Sequence, residues 1–410
     1  MPTSKILTLG SSLLLLACSA CSTTPRGRGM QNRIESQQRI DGHKAHLDLE
    51  QAHRAYTNGM FDKAMKLAEQ ARRRIPSDPR SYMLLARICL EQGRLESCDR
   101  LLGEVISLDP AIPDAHYLRG IVFQRWSRDP QALEAYLTAL ELDPDSRHSV
   151  HYLLAAGETL VDMQRFEEAR SLLLPRIGFH ENNAAMHHLL GTISVLVDDD
   201  RSAIRHLRQA HLIGGDDQII MADLARAQLD GAHFRECLRT LEELQSSMTG
   251  AIPSWLYELR ARCYLEMGSP RDARSTYVQL LRVDPDNIQA WIDYGATAHE
   301  IGDLGRLDTC GDRLISLAPG RIEGFLFKGV AALESMDLAS ARAWFTRSNQ
   351  LAPSGQAIPL LALAQLEMLD GNVEEARRLC IKAIRERNDS TSTRRYVDAI
   401  ASGSLEGPGE

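Results

Sequence analysis

Apolar residues recur at helical spacing along most of this 410-residue chain. Between about residues 45 and 390 they fall at positions i, i+3, i+4 and i+7, which predicts a series of short amphipathic helices. A proline ends every second helix in the clearest segments, because proline lacks an N–H group and disfavours helix in the residue before it. These prolines lie 34 residues apart in two runs: Pro76, Pro110 and Pro144, and Pro285, Pro319 and Pro353. The pattern therefore predicts an all-α fold of repeated helix pairs.

Small residues recur at fixed places within each helix pair. A glycine in the middle of a helix costs about 1 kcal/mol relative to alanine, so we expect these glycines to let the second helix approach the first closely. They are Gly120, Gly157, Gly191, Gly295 and Gly329, and the second helix supplies Ala132, Ala169, Ala203, Ala273, Ala341 and Ala376. Glycines between the two helices predict left-handed C-terminal caps, at Gly59, Gly93, Gly268, Gly302 and Gly371.

This series of large, small and turn residues resembles the tetratricopeptide repeat family. The resemblance gives ten units over most of the chain: 45–78, 79–112, 113–146, 150–183, 184–217, 218–251, 254–287, 288–321, 322–355 and 357–390. It implies an all-α superhelical solenoid in which each unit buries its apolar face against its neighbours. It also implies that the first helices line a concave groove, which binds a protein or peptide partner.

The repeat register predicts which side chains face that groove. They are the apolar Tyr117, Ile121, Leu326 and Val330, and the charged Arg87, Glu158, Arg226 and Arg262, which share one repeat position with His53. Apolar patches interrupted by arginines suit an extended peptide or a partner helix, because arginine binds carboxylates in bidentate fashion. The alternative is that these arginines are simply solvated. The Lys and Asn set of the family's carboxylate-clamp subtype is not found.

The N-terminal residues predict export and a lipid anchor. Lys5 precedes a twelve-residue apolar run, residues 6–17, which is too short to cross a bilayer and is typical of a signal peptide. The phrase Leu15-Leu16-Ala17-Cys18 resembles a bacterial lipobox, which implies cleavage before Cys18 and lipidation of its thiol. Ser19 then favours the periplasmic face of an outer membrane. The polar residues 18–44 are predicted to be a flexible tether.

Two alternatives for this segment stay open: cleavage before Cys21, and an ordinary signal peptide with an incidental cysteine. A C-x-x-C redox site formed by Cys18 and Cys21 would need a βαβ context, and a zinc site would need a second ligand pair. Neither accompanies them. Cys89 and Cys98 lie on the two helices of one unit, so an oxidising compartment would permit a disulfide there. Otherwise the thiols serve as small core residues.

We find no motif for catalysis, such as a P-loop, H-E-x-x-H or G-x-S-x-G. Two sets of histidines are candidate metal ligands: His148 with His151, and His180 with His187 and His188. The alternative is that they are ordinary histidines of such repeats and bind no metal. The acidic residues 198–200 predict a solvated turn. The net charge of −8 gives no support to a nucleic-acid partner. We therefore predict no catalytic residues, no cofactor and no metal, and infer no small-molecule substrate.

Residues 391–410 are predicted to form a capping helix and a frayed tail, because a terminal repeat needs a polar outer face. Together these features suggest a non-enzymatic, lipid-anchored scaffold that assists an envelope machine for pilus assembly, secretion or polysaccharide export. The alternative is a regulatory subunit of an envelope enzyme, such as a glycosyltransferase or a peptidoglycan enzyme.

Overall fold

The computed structural model describes residues 25–353 and 356–386. The predicted signal peptide, Cys18 and the capping helix over 391–410 lie outside the described residues. Within the described ranges the chain forms twenty α-helices and one 3-10 helix and contains no strand, which confirms the predicted all-α fold. The described residues divide into two compact units, one ending at residue 165 and one beginning at residue 166, which are described separately.

Unit 1 contains seven helices that pack in sequence order, each against the next. The first helices of successive pairs, α1, α3 and α5, also contact one another. This arrangement places one face of each first helix beside the same face of its neighbour. The helices are α1 (Pro25–Thr57), α2 (Phe61–Arg74), α3 (Pro79–Glu91), α4 (Leu95–Leu108), α5 (Pro113–Arg125), α6 (Asp129–Leu142) and α7 (Ser149–Asp162).

Unit 2 continues the same alternation. Its first helix is short because Pro175 lies at the start of the 3-10 helix Leu174–His180 and cannot continue an α-helix. The helices are α8 (Phe166–Leu173), α9 (Ala184–Leu196), α10 (Asp200–Gly214), α11 (Gln218–Asp230), α12 (Phe234–Ser247), α13 (Ser254–Glu266), α14 (Pro270–Val283), α15 (Ile288–Glu300), α16 (Leu304–Leu317), α17 (Glu323–Glu334), α18 (Leu338–Leu351), α19 (Ile358–Leu369) and α20 (Val373–Glu386).

The small residues pack as the pattern predicts. A Cβ atom added at Gly120 would lie 2.4 Å from the ring of Tyr136 on the second helix of the same pair, and one at Gly329 would lie 2.3 Å from Phe345. Gly295 differs, because its closest neighbour is Phe327 on the first helix of the next pair, at 2.2 Å. The alanines of the second helices are fully buried. These glycines therefore permit approaches that no other residue would.

The predicted glycine caps are also confirmed. The five turn glycines have φ between 67° and 83°, the left-handed region that only glycine adopts without strain. The equivalent turns elsewhere place other residues there, at Ser127, Gln164, Asp198, Ala232 and Met336. The backbone geometry of the turn is thus set by the helix pair, and glycine only lowers its cost.

The prediction of a flexible tether does not hold for residues 25–44, which lie in α1. This helix begins at Pro25, a residue suited to the first helical turn. Its early part has no apolar face, but Arg74 of α2 forms ion pairs with Asp48 at 2.9 Å and Asp41 at 3.9 Å. Hydrophobic periodicity could not reveal the early part of this helix, because its apolar face begins only near Ala45.

Candidate functional site

A cleft of about 580 Å³ lies on the face formed by the first helices of unit 1. We call it the first-helix cleft. It is bounded by α1, α3 and the start of α5, which the packing of successive first helices brings side by side. Its lining residues are His46, Leu49, Glu50, His53, Arg54, Pro79, Arg80, Met83, Leu84, Arg87, Ile112 and Asp114.

The floor of this cleft is apolar. Leu49 and Leu84 pack together in the core cluster between α1, α2 and α3, with one edge of each facing the cleft. Met83 and Ile112 extend this floor towards α5, where they pack on the next cluster. Residues three or four positions apart lie on the same face of a helix. The groove face of each first helix therefore carries one or two apolar side chains. The cleft can therefore bury apolar groups of a ligand.

Each arginine of the first-helix cleft has a carboxylate partner. Arg54 Nη2 lies 4.0 Å from Glu50, and Arg80 forms a 2.9 Å ion pair with Asp78, the N-cap residue of α3. Burial alone would raise the pKa of Asp78, but the hydrogen bonds from Arg80 hold it below its usual range. Both guanidinium groups thus have a carboxylate beside them.

Arg87 is tied to the next repeat. Its Nη2 donates to Asp114 Oδ2 at 2.6 Å, and the other oxygen of Asp114 accepts a hydrogen bond from the Tyr152 hydroxyl at 2.7 Å. Asp114 thereby links α3, α5 and α7. A guanidinium group carries five N–H donors, so Arg87 keeps several for a ligand after binding Asp114. The predicted groove residue Arg87 does lie in a cleft, already oriented.

Tyr117, Ile121 and Glu158 lie beside the first-helix cleft rather than in it. Tyr117 packs between the rings of Tyr136 and Tyr152, with centroids 5.7 and 5.2 Å away. Burial raises its pKa, and the nearby negative charge of Glu158 adds to this. Ile121 is half-buried against the same core. The pKa of Glu158 is raised by partial desolvation and by Asp162. These residues extend the face beyond the cleft.

In unit 2, Arg226 lines a smaller cleft of about 370 Å³. Its guanidinium group lies 5.2 Å above the ring of Trp255 and donates to Asp223 at 2.9 Å. Asp223 is also hydrogen-bonded to His188 of α9 at 2.8 Å. The side chain of Ile219 at the rim is 67% exposed. Here the arginine is held within its own helix and against an aromatic ring.

The other predicted groove residues of unit 2 do not share this cleft. Arg262 is exposed on α13. Leu326 and Val330 are half-buried on α17, where they pack against the core between α17, α18 and α19. The repeat register could not show which of the predicted positions line one cavity.

The repeat pattern gives no indication of the acidic residues that contact the arginines, Asp114 and Asp223. Asp114 and Asp223 occupy different positions in their repeats, so the register gives no common signal for them. For Asp114 a usable signal existed, because it follows Pro113 in the first turn of α5, next to the groove face of α3. Leu49 and His53 of the cleft lie on α1, at groove positions of the first unit.

The cysteines and histidines show no assembled metal or disulfide site within the described ranges. Cys89, Cys98, Cys237, Cys263, Cys310 and Cys380 are free thiols and buried, so the hypothetical Cys89–Cys98 disulfide is not formed. No group of three or more His, Cys, Asp or Glu residues among the described residues is placed to hold a metal ion. No helix that the structure describes combines the length and apolarity needed to cross a membrane.

The predicted histidine candidates have other contacts. His187 Nε2 lies 3.1 Å from the Glu181 carbonyl oxygen, and its Nδ1 lies 3.2 Å from Nδ1 of the buried His206. His148 and His151 have ring centroids 6.4 Å apart. Asp199, in the predicted acidic turn, caps α10 and accepts a hydrogen bond from Arg170 at 3.0 Å. That carboxylate is a helix cap.

Two family models described as tetratricopeptide repeat match residues 31–227 and 258–306, which together are more than half of the chain. Protein O-mannosyl-transferase TMTC3 of Homo sapiens is 24% identical over 288 residues, 61% of this chain and 31% of that protein. The chain thus spans about a third of the length of this curated relative.

Two solved structures have a similar fold. The pilF protein of Pseudomonas aeruginosa is 20% identical, with 50% of this chain and 92% of that chain covered and a TM-score of 0.41. A tetratricopeptide repeat protein of Parabacteroides merdae is 16% identical, with 58% and 93% covered and a TM-score of 0.43.

Proposed function

The chain belongs to the tetratricopeptide repeat family, and we propose that it is a non-enzymatic adaptor whose first-helix cleft binds an extended peptide segment of a protein partner. One observation carries this proposal: the cleft combines an apolar floor with arginines that are already oriented by carboxylates. Fixed donors lose little side-chain entropy on binding, which favours affinity for a peptide. A floor of Leu49, Met83 and Ile112 contacts an apolar side chain, and the remaining N–H groups of Arg87 donate hydrogen bonds to a peptide carbonyl oxygen.

The similarity to an O-mannosyl-transferase supports no transferase activity for this chain, because it covers only 31% of that protein. The cleft itself offers charged groups that are neutralised in pairs. Such pairs position a ligand but supply no nucleophile with an adjacent base. We therefore assign the cleft to binding.

We further propose that the adaptor is exported and held by a lipid on Cys18, at the periplasmic face of an outer membrane. The lipobox-like phrase before Cys18 and the short apolar run support this. Two acyl chains anchor a protein stably, whereas one holds only marginally. In this setting the partner is a component of an envelope machine for pilus assembly, secretion or polysaccharide export. A cell-envelope enzyme regulated by the chain is the second candidate.

Site-specific photocrosslinking tests the cleft. A photoreactive residue replaces His53, which is exposed and lines the cleft, and a matched variant carries it at His43, an exposed position of the same helix outside the cleft. We expect His53 to attach to one peptide segment of one partner and His43 not to. A synthetic copy of that segment should bind the purified chain, and His53→Glu should weaken binding while His43→Glu should not.

Equal adducts from both positions, or unchanged binding to the His53→Glu variant, would contradict the proposal. The identity of the attached protein decides between the two candidates: an assembly component supports the scaffold, and an envelope enzyme supports the regulatory subunit.

Metabolic labelling with an alkyne fatty acid tests the anchor. The unchanged chain and Cys21→Ser should carry the label and sediment with membranes, whereas Cys18→Ser should lose both properties. Label that persists in Cys18→Ser, or disappears only in Cys21→Ser, would remove Cys18 as the attachment point.

A further inference from the structure

Unit 1 has a second cleft on a different face, formed by α2, α4 and one side of α3, with a volume of about 370 Å³. We call it the second-helix cleft. It shares no lining residue with the first-helix cleft. Its floor is Met65, Tyr82, Leu85, Cys89 and Leu101.

Three arginines converge on this cleft: Arg72, Arg94 and Arg100. In the part of the chain that the structure describes, none of them has a carboxylate partner. The guanidinium group of Arg72 lies 5.5 Å from the centre of the Tyr82 ring, and that of Arg94 donates a hydrogen bond to the sulfur of Met65, at 3.9 Å. Arg100 is exposed and makes no hydrogen bond or ion pair to any described residue.

The positive charge of the arginines reaches the cleft floor. Burial raises the pKa of the Cys89 thiol, and the charges of Arg94 and Arg100 act in the opposite direction. Both guanidinium groups therefore lie near enough to influence a buried group at the floor. Every arginine of the first-helix cleft, in contrast, is neutralised by a carboxylate.

We propose that the second-helix cleft is a separate binding site, which takes a carboxylate side chain of an acidic protein segment with an apolar residue beside it. Arginine and carboxylate match in bidentate geometry. Two glutamates, Glu69 and Glu104, also line the cleft, so its five charged side chains carry a net charge of +1. That balance matches a singly charged carboxylate and disfavours a phosphate dianion or a membrane of anionic lipids.

Fluorescence anisotropy with the full chain tests this site. The probes are labelled, end-blocked peptide pools in which a central Glu, Gln, Lys or phosphoserine is flanked by Leu and random residues. We expect the Glu pool to bind about tenfold more tightly than the Gln pool, because a hydrogen bond from a guanidinium group to a charged carboxylate is stronger than one to a neutral amide. The Arg94→Gln, Arg100→Gln double variant should lose that preference.

Arg239→Gln is the matched control. Arg239 is exposed on α12 at the repeat position that Arg100 occupies on α4, and it lines neither cleft. It should change the affinity by less than about twofold, as should His53→Glu in the first-helix cleft. This keeps the test separate from that of the proposed function.

Three results would overturn the proposal. They are equal binding of the Glu and Gln pools, tighter binding of the phosphoserine pool, and a Glu preference that survives the double variant. Binding to vesicles containing phosphatidylglycerol that depends on Arg94 and Arg100 would assign the cleft to lipid instead. Circular dichroism of the variants confirms that they fold.

Discussion

The two clefts of unit 1 hold similar numbers of arginines but differ in whether a carboxylate balances the charge of each one. In the first-helix cleft each guanidinium group has a carboxylate partner, and Arg87 bonds to Asp114 on the neighbouring repeat. In the second-helix cleft no arginine has one among the described residues. Paired arginines orient and stabilise, whereas unpaired ones offer charge to a partner. Arginine content alone therefore does not identify a site for an acidic ligand.

Removing Asp114, the carboxylate partner of Arg87, should give the largest loss of stability. Asp114→Ala deletes the partner of Arg87 and leaves the hydroxyl of the buried Tyr152 without its acceptor. We expect a loss of about 3 kcal/mol, since a buried unsatisfied group costs about 1–3 kcal/mol and a charged hydrogen bond contributes about 1.5–3. Hydrogen exchange in α3, α5 and α7 measures it. Glu134→Ala on the exposed face of α6 is the control, and equal exchange in both variants would refute the role of Asp114.

Gly120→Ala should disturb the helix pair behind Tyr117. The new Cβ would lie 2.4 Å from the Tyr136 ring, so the ring must move, at about 2 kcal/mol. Gly103→Ala in α4 is a matched control, because no atom lies within 4 Å of its Cβ. It should stabilise α4 by about 0.5–1 kcal/mol through helix propensity. Urea unfolding distinguishes them. If both variants gain stability, the close approach at Gly120 is not limiting.

Unit 2 contains a buried pair of histidines, His187 and His206, which must stay uncharged in the folded protein. Burial and the neighbouring His187 lower the pKa of His206 to about 4, with Arg205 and Arg170 adding to this and Asp199 opposing it. The His187 Nε2–H group donates to a carbonyl oxygen, so its Nδ1 accepts from His206. A proton added to His187 Nδ1 would face the His206 N–H group, and a proton added to His206 Nε2 would place a charge in this buried site.

Because the unfolded chain binds this proton more readily, stability falls as the pH decreases from about 6.5 towards 4. Between pH 6.5 and 5.5 we expect a loss of about 1 kcal/mol from His206. Hydrogen exchange in α10 at the two pH values measures it, and His206→Gln should remove this part of the pH dependence. His43→Gln, at an exposed position, should retain it. An unchanged pH dependence in His206→Gln would contradict the prediction.

The smallest expected effect on stability comes from Arg100, and it can be compared directly with the effect of Arg87. Arg100→Gln should change the free energy of unfolding by less than about 0.5 kcal/mol, because Arg100 makes no hydrogen bond or ion pair to any described residue. Arg87→Gln should cost more, since it leaves Asp114 without its charged donor. Urea midpoints measured side by side would show the difference. A larger loss for Arg100→Gln would mean that the second-helix cleft is also built for stability.

Much of the fold could be predicted because it depends on local spacing. The 34-residue period, the helical periodicity and the small residues of each pair are enough to define the helix pairs. The helical residues 25–44 escaped prediction because they have no apolar face, and their contact with α2 includes a polar one, between Asp41 and Arg74. The candidate site was predicted only in part: Arg87 was identified, but not Asp114 or the second-helix arginines.

By itself, then, the sequence determined an all-α repeat array and the side of each first helix that faces a neighbour, since both follow from periodicities of a few residues. Only the tertiary structure decided which arginines are neutralised. The partners in the pair Arg87–Asp114 lie 27 residues apart, on different helices. Whether they meet depends on how two helices pack and on where side chains end, and a repeat register records neither.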